Sequence, residues 1–102
     1  MAALGIYGVA AARLGDTLIA ERMMQRIDSI ARSRQPFIPG VHYTALARIA
    51  AALGRDSEAL RLSTVAVAAQ GRTFRFNAHL LPEFASLRRN PKFQQLIRPR
   101  ED

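Results

Sequence analysis

The chain has 102 residues, of which 49% are hydrophobic and 23% are charged, and it contains no cysteine. This composition excludes a disordered chain and indicates one compact domain over residues 1–102. The lack of cysteine excludes disulfides and cysteine-bound metal or cluster sites. Fifteen basic residues against eight acidic ones give a formal net charge of +7. The excess of arginine suits recognition of phosphate or carboxylate groups, but codon usage in a GC-rich bacterium, which favours arginine and alanine together, explains it equally.

Residues 1–32 predict a pair of helices. The apolar stretch over residues 1–12 is too short to cross a membrane and has no basic segment before it, as a signal peptide would, so it predicts the first helix and no membrane insertion. Gly15 suits the residue that closes this helix, and Asp16 suits the N-cap of the next one. The second helix has an apolar stripe at helical spacing, made of Ala20, Met23, Met24, Ile27, Ile30 and Ala31.

The same pattern returns over residues 41–70, after a shift of 39 positions that places Gly15 on Gly54 and Ala20 on Ala59. Asp56 is the predicted cap of the fourth helix. Between the two units, residues 33–40 contain two prolines and a glycine and predict a linker loop, with Phe37 and Ile38 folding back onto the core. Small residues recur where paired helices would cross: Gly8, Ala11, Ala20, Ala47, Ala50 and Ala59.

Residues 71–102 differ from the two repeated units. The pattern P-x-F-x-x-L occurs at Pro82 and again at Pro91, and it predicts two short helices that cap the open end of the stack. The segment from Arg72 to Phe76 alternates cations with aromatic residues, as a surface for single-stranded nucleic acid does. We favour a core role, in which Phe74 and Phe76 fill the gap between the second unit and the cap.

The spacing of Gly8, Gly15 and Ala20 in the first unit resembles the tetratricopeptide repeat (TPR), in which small residues lie at the helix crossing. The equivalents in the second unit are Ala47, Gly54 and Ala59. The chain departs from that family in three ways. Ser63 replaces an aromatic residue, Gly71 replaces the terminal proline, and the period is 39 instead of about 34 residues.

The segment over residues 81–99, together with the alanine-rich helices, resembles the C-terminal TPR-like region of bacterial multidomain signalling proteins. In those proteins the region follows kinase, cyclase or winged-helix regulator domains. The resemblance implies an all-α fold of two TPR-like antiparallel helix pairs, stacked and closed by two short C-terminal helices. It also implies a non-catalytic protein–protein interaction module that acts as a scaffold or regulatory part. The alternative function is a basic nucleic-acid-binding accessory domain of a transcriptional regulator.

The resemblance also implies a binding groove, because the first helix of each TPR pair lines the concave surface. By position, its contact residues are Val9, Arg13, Thr44 and Arg48. The two arginines would receive an acidic side chain or carboxylate of a protein or peptide, unless both are simply solvated.

A second predicted surface is the apolar flank formed by Leu4, Ile6 and Val9 on the first helix. Repeat stacks generally need three or more units for stability. We therefore expect a second copy of the chain to cover this flank, giving a homodimer.

Few residues suit catalysis. His79 and Glu83 are the candidate acid–base pair of an enzyme, but no nucleophile or orienting third group accompanies them. We therefore expect no catalytic residue, no metal and no cofactor, and we favour a protein partner over nucleic acid. The expected location is the cytoplasm, or an extracytoplasmic one if the domain belongs to a membrane-spanning parent.

Overall fold

Helices dominate the chain in a computed structural model that describes residues 2–33 and 41–98, with only the backbone described for Ala2, Ala3, Ser33 and Val41. No strand occurs among these residues, so the predicted all-α class is confirmed. The described helices are α1 (Ala2–Arg13), α2 (Thr17–Ser33), α3 (Val41–Ala52), α4 (Asp56–Gln70), α5 (Arg72–Leu80) and α6 (Pro91–Ile97), with two 3₁₀ turns at Pro82–Phe84 and Leu87–Arg89. The predicted positions of Phe37 and Ile38 lie outside the described residues.

The two tight turns, between α1 and α2 and between α3 and α4, are built alike. Gly15 and Gly54 have φ values of 84° and 76°, a left-handed conformation that costs glycine nothing. In each turn the residue after the glycine donates its N–H to the carbonyl five residues back, Asp16 to Ala11 and Arg55 to Ala50. Together with the shorter bond from each glycine, this is the Schellman motif, repeated at the predicted shift of 39 residues.

The predicted helix caps differ between these two turns. The Asp16 Oδ1 atom accepts a hydrogen bond from the Ile19 N–H at 3.2 Å, so the predicted cap of α2 is confirmed. The cap predicted at Asp56 is wrong. Asp56 is already the first residue of α4, and the N-cap is Arg55, which makes no side-chain cap hydrogen bond.

Glycine allows α1 to pack closely against the rest of the stack. Helix α1 contacts both α2 and α3. A Cβ atom on Gly8 would lie 2.5 Å from the Ile49 Cδ1 atom, and one on Gly5 would lie 3.1 Å from the Ala45 Cβ atom. The other small residues predicted at the helix crossings are also buried: Ala11, Ala20, Ala47, Ala50 and Ala59.

An ion pair joins the first helical hairpin to the second. The Arg55 guanidinium, in the turn before α4, donates to the Glu21 carboxylate on α2. This hydrogen bond raises the pKa of Arg55 above its ordinary value. A raised pKa means that, on the alkaline side, the contribution of the pair to stability is present below the ordinary arginine pKa and is lost as the pH rises through the raised one.

The C-terminal cap is more elaborate than the sequence predicts. Helix α5 was not predicted, and Gly71, with a φ of 47°, separates it from α4. The second predicted cap helix is confirmed as α6. The first forms two 3₁₀ turns instead of a helix. Asn90, which precedes Pro91, is extended with a ψ of 123°, because proline disfavours the α conformation in the residue before it.

Three aromatic rings form the core of the cap. Phe84 lies between Phe74 and Phe93, with ring centroids at 5.8 Å in an edge-to-face arrangement and at 5.7 Å in a stacked one. All three rings are fully buried. The predicted core role of Phe74 is therefore confirmed, whereas that of Phe76 is wrong, because 64% of Phe76 is exposed.

Among the residues that the structure describes, one buried polar side chain has no hydrogen-bond partner. Ser63, on α4, is fully buried, and its hydroxyl makes no hydrogen bond among the described residues. An unsatisfied buried hydroxyl costs about 1–3 kcal/mol. We expect Ser63→Ala to raise the free energy of unfolding by about 1 kcal/mol, measured by urea denaturation.

The matched control for Ser63→Ala is Ser29→Ala, at an exposed position within α2. The Ser29→Ala substitution changes the free energy of unfolding only through the higher helix propensity of alanine, by roughly 0.5 kcal/mol. A loss of stability in Ser63→Ala would show that the hydroxyl has a bonding partner and would contradict the prediction.

Candidate interaction surfaces

The four residues of the predicted groove do not form a free binding surface. Val9 is 7% exposed and belongs to the core, so its assignment to the groove and to the flank is corrected. Thr44 donates its hydroxyl to the Gln70 Oε1 atom at 3.2 Å. Arg13, the last residue of α1, is exposed, and its side chain makes no hydrogen bond or ion pair with the described residues.

Arg48 has an internal partner, which corrects its prediction as a receptor for an external acid. Its Nε atom donates to the Glu83 Oε2 atom at 2.5 Å. The Glu83 side chain is 2% exposed and that of Arg48 is 22% exposed. The pair connects α3 to the 3₁₀ turn at Pro82–Phe84. The Arg48 guanidinium is therefore bonded within the fold and is not free to bind an acidic peptide.

The predicted catalytic pair does not form either. Glu83 is bonded to Arg48, and the His79 Nε2 atom lies 3.0 Å from the Ile97 carbonyl oxygen, to which it donates. No group of three or more His, Cys, Asp or Glu side chains within residues 2–33 and 41–98 is arranged to hold a metal ion. The structure thus gives each of these two side chains a separate role in fixing the cap.

The outer face of α1 is exposed and apolar. Ile6 is 58% exposed, Tyr7 56% and Leu14 86%, while Leu4 of the predicted flank is half-buried. The residues Tyr7, Ala10 and Leu14 are three and four positions apart and so share one face of the helix. They border a shallow cleft of about 270 Å³ between α1 and the start of α2. We call this surface, made of Ile6, Tyr7, Ala10, Leu14 and Ile19, the α1 face.

The α1 face has a counterpart that is covered. A shift of 39 positions takes Ile6, Tyr7 and Ala10 to a buried set on α3: Ala45, Leu46 and Ile49. The helix that covers this set is α1, whose Gly5 and Gly8 lie against Ala45 and Ile49. The α1 face is therefore the position at which another helix would pack if the stack continued.

The sequence contains a signal for the α1 face, because the 39-residue shift aligns Tyr7 with the apolar Leu46. Sequence reasoning placed the flank on Leu4, Ile6 and Val9, and only Ile6 is exposed among them. Which side chains of α1 point outward depends on the rotation of α1 about its own axis relative to α2 and α3. Gly5 and Gly8 set this rotation by bringing their side of the helix inward.

None of the described helices has the length and hydropathy needed to traverse a lipid bilayer. No protein-family profile, no curated protein and no solved structure gives a significant match to the chain. The function of the chain is therefore inferred from the geometry of the α1 face and of the cap.

Proposed function

We propose that the chain is a non-catalytic protein–protein interaction module, a scaffold or regulatory part of a bacterial signalling system that works in the cytoplasm. The observation that carries this proposal is in the α1 face, where Ile6, Tyr7 and Ala10 are exposed although their repeat equivalents on α3 are buried. Exposed apolar surface of this kind marks contact sites for other proteins.

The packing supports the TPR-like part of the proposal. Helix α1 packs against its partner α2 and against α3, the first helix of the next pair, which is the nearest-neighbour pattern of a repeat stack. The two Schellman turns at the same shift add a second, independent sign of repetition. The signalling role rests on the resemblance of the closing segment.

We propose a second copy of the chain as the occupant of the α1 face. The five residues of the α1 face are uncharged, and the charged residues next to them, Arg13 and Asp16, have opposite signs, so two α1 faces meet without a net charge repulsion. The other end of the stack is closed, since Arg48 on α3 is bonded to Glu83 of the cap. A copy can therefore add to α1 but not to α3, and the contact is two-fold symmetric, with the same surface on both sides.

The dimer should be weak. Helix α1 has 12 residues and a length of about 18 Å. A face of this size covers less than the roughly 800 Å² per partner of a standard stable interface. We therefore expect reversible, concentration-dependent association in place of a permanent dimer.

Analytical ultracentrifugation of the full chain and of Tyr7→Asp tests the proposal. We expect Tyr7→Asp to raise the dissociation constant at least about tenfold, because it places a carboxylate in the centre of an apolar contact. The matched control is Phe76→Asp, the same kind of change at an exposed aromatic residue on the cap, which should leave the constant unchanged. A wild-type chain that stays monomeric at millimolar concentration, or equal constants for the two variants, would contradict the two-fold contact.

A further inference from the structure

The charge of the chain is concentrated in the cap. Residues 71–98 contain six basic residues and one acidic residue, a net charge of +5. Residues 2–33 contain four basic and three acidic residues, and residues 41–70 contain three and two, so each helical pair has a net charge of only +1. Glu83, the one acid between residues 71 and 98, is buried and bonded to Arg48, and Glu101 and Asp102 follow at the end of the sequence. The cap therefore presents no carboxylate of its own to solvent among the described residues.

Helix α5 has an outer face that combines apolar and basic side chains. Its inner face is buried through Phe74 and Ala78, while Phe76 and Leu80 are 64% and 63% exposed. Arg72 is exposed four residues before Phe76, which puts Arg72, Phe76 and Leu80 in one row along the helix. We call this row the α5 row.

Hydrogen bonds to the backbone hold α5 in place. The Arg88 guanidinium donates to the carbonyls of Ala78 and Leu81 at 2.8 and 2.9 Å, at the end of α5. His79 donates to the Ile97 carbonyl at 3.0 Å and so fixes α5 to α6. The α5 row is thus preformed, and binding to it does not require the cap to become ordered first.

Several cations of the cap remain available. The side chains of Arg72, Arg89, Lys92 and Arg98 are exposed and make no hydrogen bond or ion pair with the described residues. These free cations and the α5 row point to a ligand that is both acidic and apolar. An exposed apolar anchor with a cation next to it, as Arg72 is next to Phe76 in the α5 row, is the kind of surface that suits acidic protein segments.

We propose that the α5 row binds an acidic protein segment that carries apolar side chains, with Phe76 and Leu80 as apolar anchors and Arg72 as the cation next to them. A nucleic-acid platform stacks successive bases on several aromatic residues, but Phe76 is the only exposed phenylalanine between residues 71 and 98, the described part of the cap. Peripheral membrane helices have a broader apolar face than the two anchors of this nine-residue helix. The proposal rests on the chain being an interaction module, and it adds a second surface of different chemistry from the α1 face.

Selection of random peptides displayed on phage against the full chain tests this inference. We expect the enriched peptides to interleave Asp and Glu with Leu, Ile or Phe. Fluorescence titration of a labelled enriched peptide should show at least about tenfold weaker binding to the double variant Phe76→Ser with Leu80→Ser, since both anchors are lost. Binding should also weaken as salt increases, because the charged groups are exposed.

The control variant is Tyr7→Asp, which alters the α1 face and should bind the peptide like the wild type. Peptide binding with no dimerisation would overturn the two-fold contact alone, whereas dimerisation without enriched acidic peptides would overturn this inference alone. Equal binding by the double variant, or enriched peptides without acidic residues, would also overturn it. So would tighter binding of oligo(dT) or of phosphatidylserine vesicles than of the peptide.

Discussion

Replacing Phe84 with alanine is expected to lower the free energy of unfolding by about 3–5 kcal/mol. Phe84 is fully buried between Phe74 and Phe93, and each of these rings comes from a different helix, α5 and α6. Removing the middle ring therefore eliminates its own burial and two aromatic contacts, and leaves a cavity between the helices. Urea denaturation followed by circular dichroism gives the change directly.

The matched control for Phe84→Ala is Phe76→Ala, the same substitution on an exposed surface, which should change stability by less than about 0.5 kcal/mol. If Phe84→Ala unfolds at the same urea concentration as Phe76→Ala, the aromatic cluster does not hold the cap. If Phe84→Ala does not fold, the smaller change Phe84→Leu keeps the prediction testable, since it should cost measurably more than Phe76→Leu.

Replacing Arg48 with methionine is expected to cost about 3 kcal/mol of stability. The substitution keeps the length of the side chain but leaves the Glu83 carboxylate, which is 2% exposed, without its cation. Arg48 itself is partly exposed, and water can reach the site in its absence, so we expect the lower end of the range measured for buried pairs. Thermal or urea unfolding measures the loss.

Arg13→Met is the control for Arg48→Met, because Arg13 was predicted to have the same role but is exposed and unpaired among the described residues. It should change stability by less than about 0.5 kcal/mol. The double variant Arg48→Met with Glu83→Leu should recover most of the loss, since no buried charge is then left unpaired. Equal effects of Arg48→Met and Arg13→Met would mean that Glu83 is satisfied without Arg48.

The helical hairpins were predictable from sequence because their signals are local. Gly15 and Gly54 act within a single turn, and the seam alanines follow a helical period over a few residues, so neither depends on distant parts of the chain. The helix over residues 72–80 was not predicted because Phe74 and Phe76 recur at a spacing of two, which competes with the helical spacing of Phe74 and Ala78. Those two residues are four apart and form its buried face.

The predicted groove failed for a different reason. Arg48 and Glu83 are 35 residues apart in the chain, and nothing in either local sequence indicates that they meet. The pairing depends on where the cap lies against α3, which is decided by packing of the aromatic cluster. For the same reason the sequence suggested a basic groove at Arg13 and Arg48, whereas the structure pairs Arg48 with Glu83 and leaves Arg13 exposed.

The stack is closed by the cap at α3 and open at α1, so its two ends respond differently to the addition of another hairpin. A hairpin inserted between α4 and α5 would separate Arg48 from Glu83 and move the aromatic cluster away from the stack that it seals. A hairpin joined on the α1 side would meet only Ile6, Tyr7 and Leu14, which are already exposed. Lengthening of such an array, by gene duplication or by protein engineering, is therefore tolerated at one terminus and penalised in the interior.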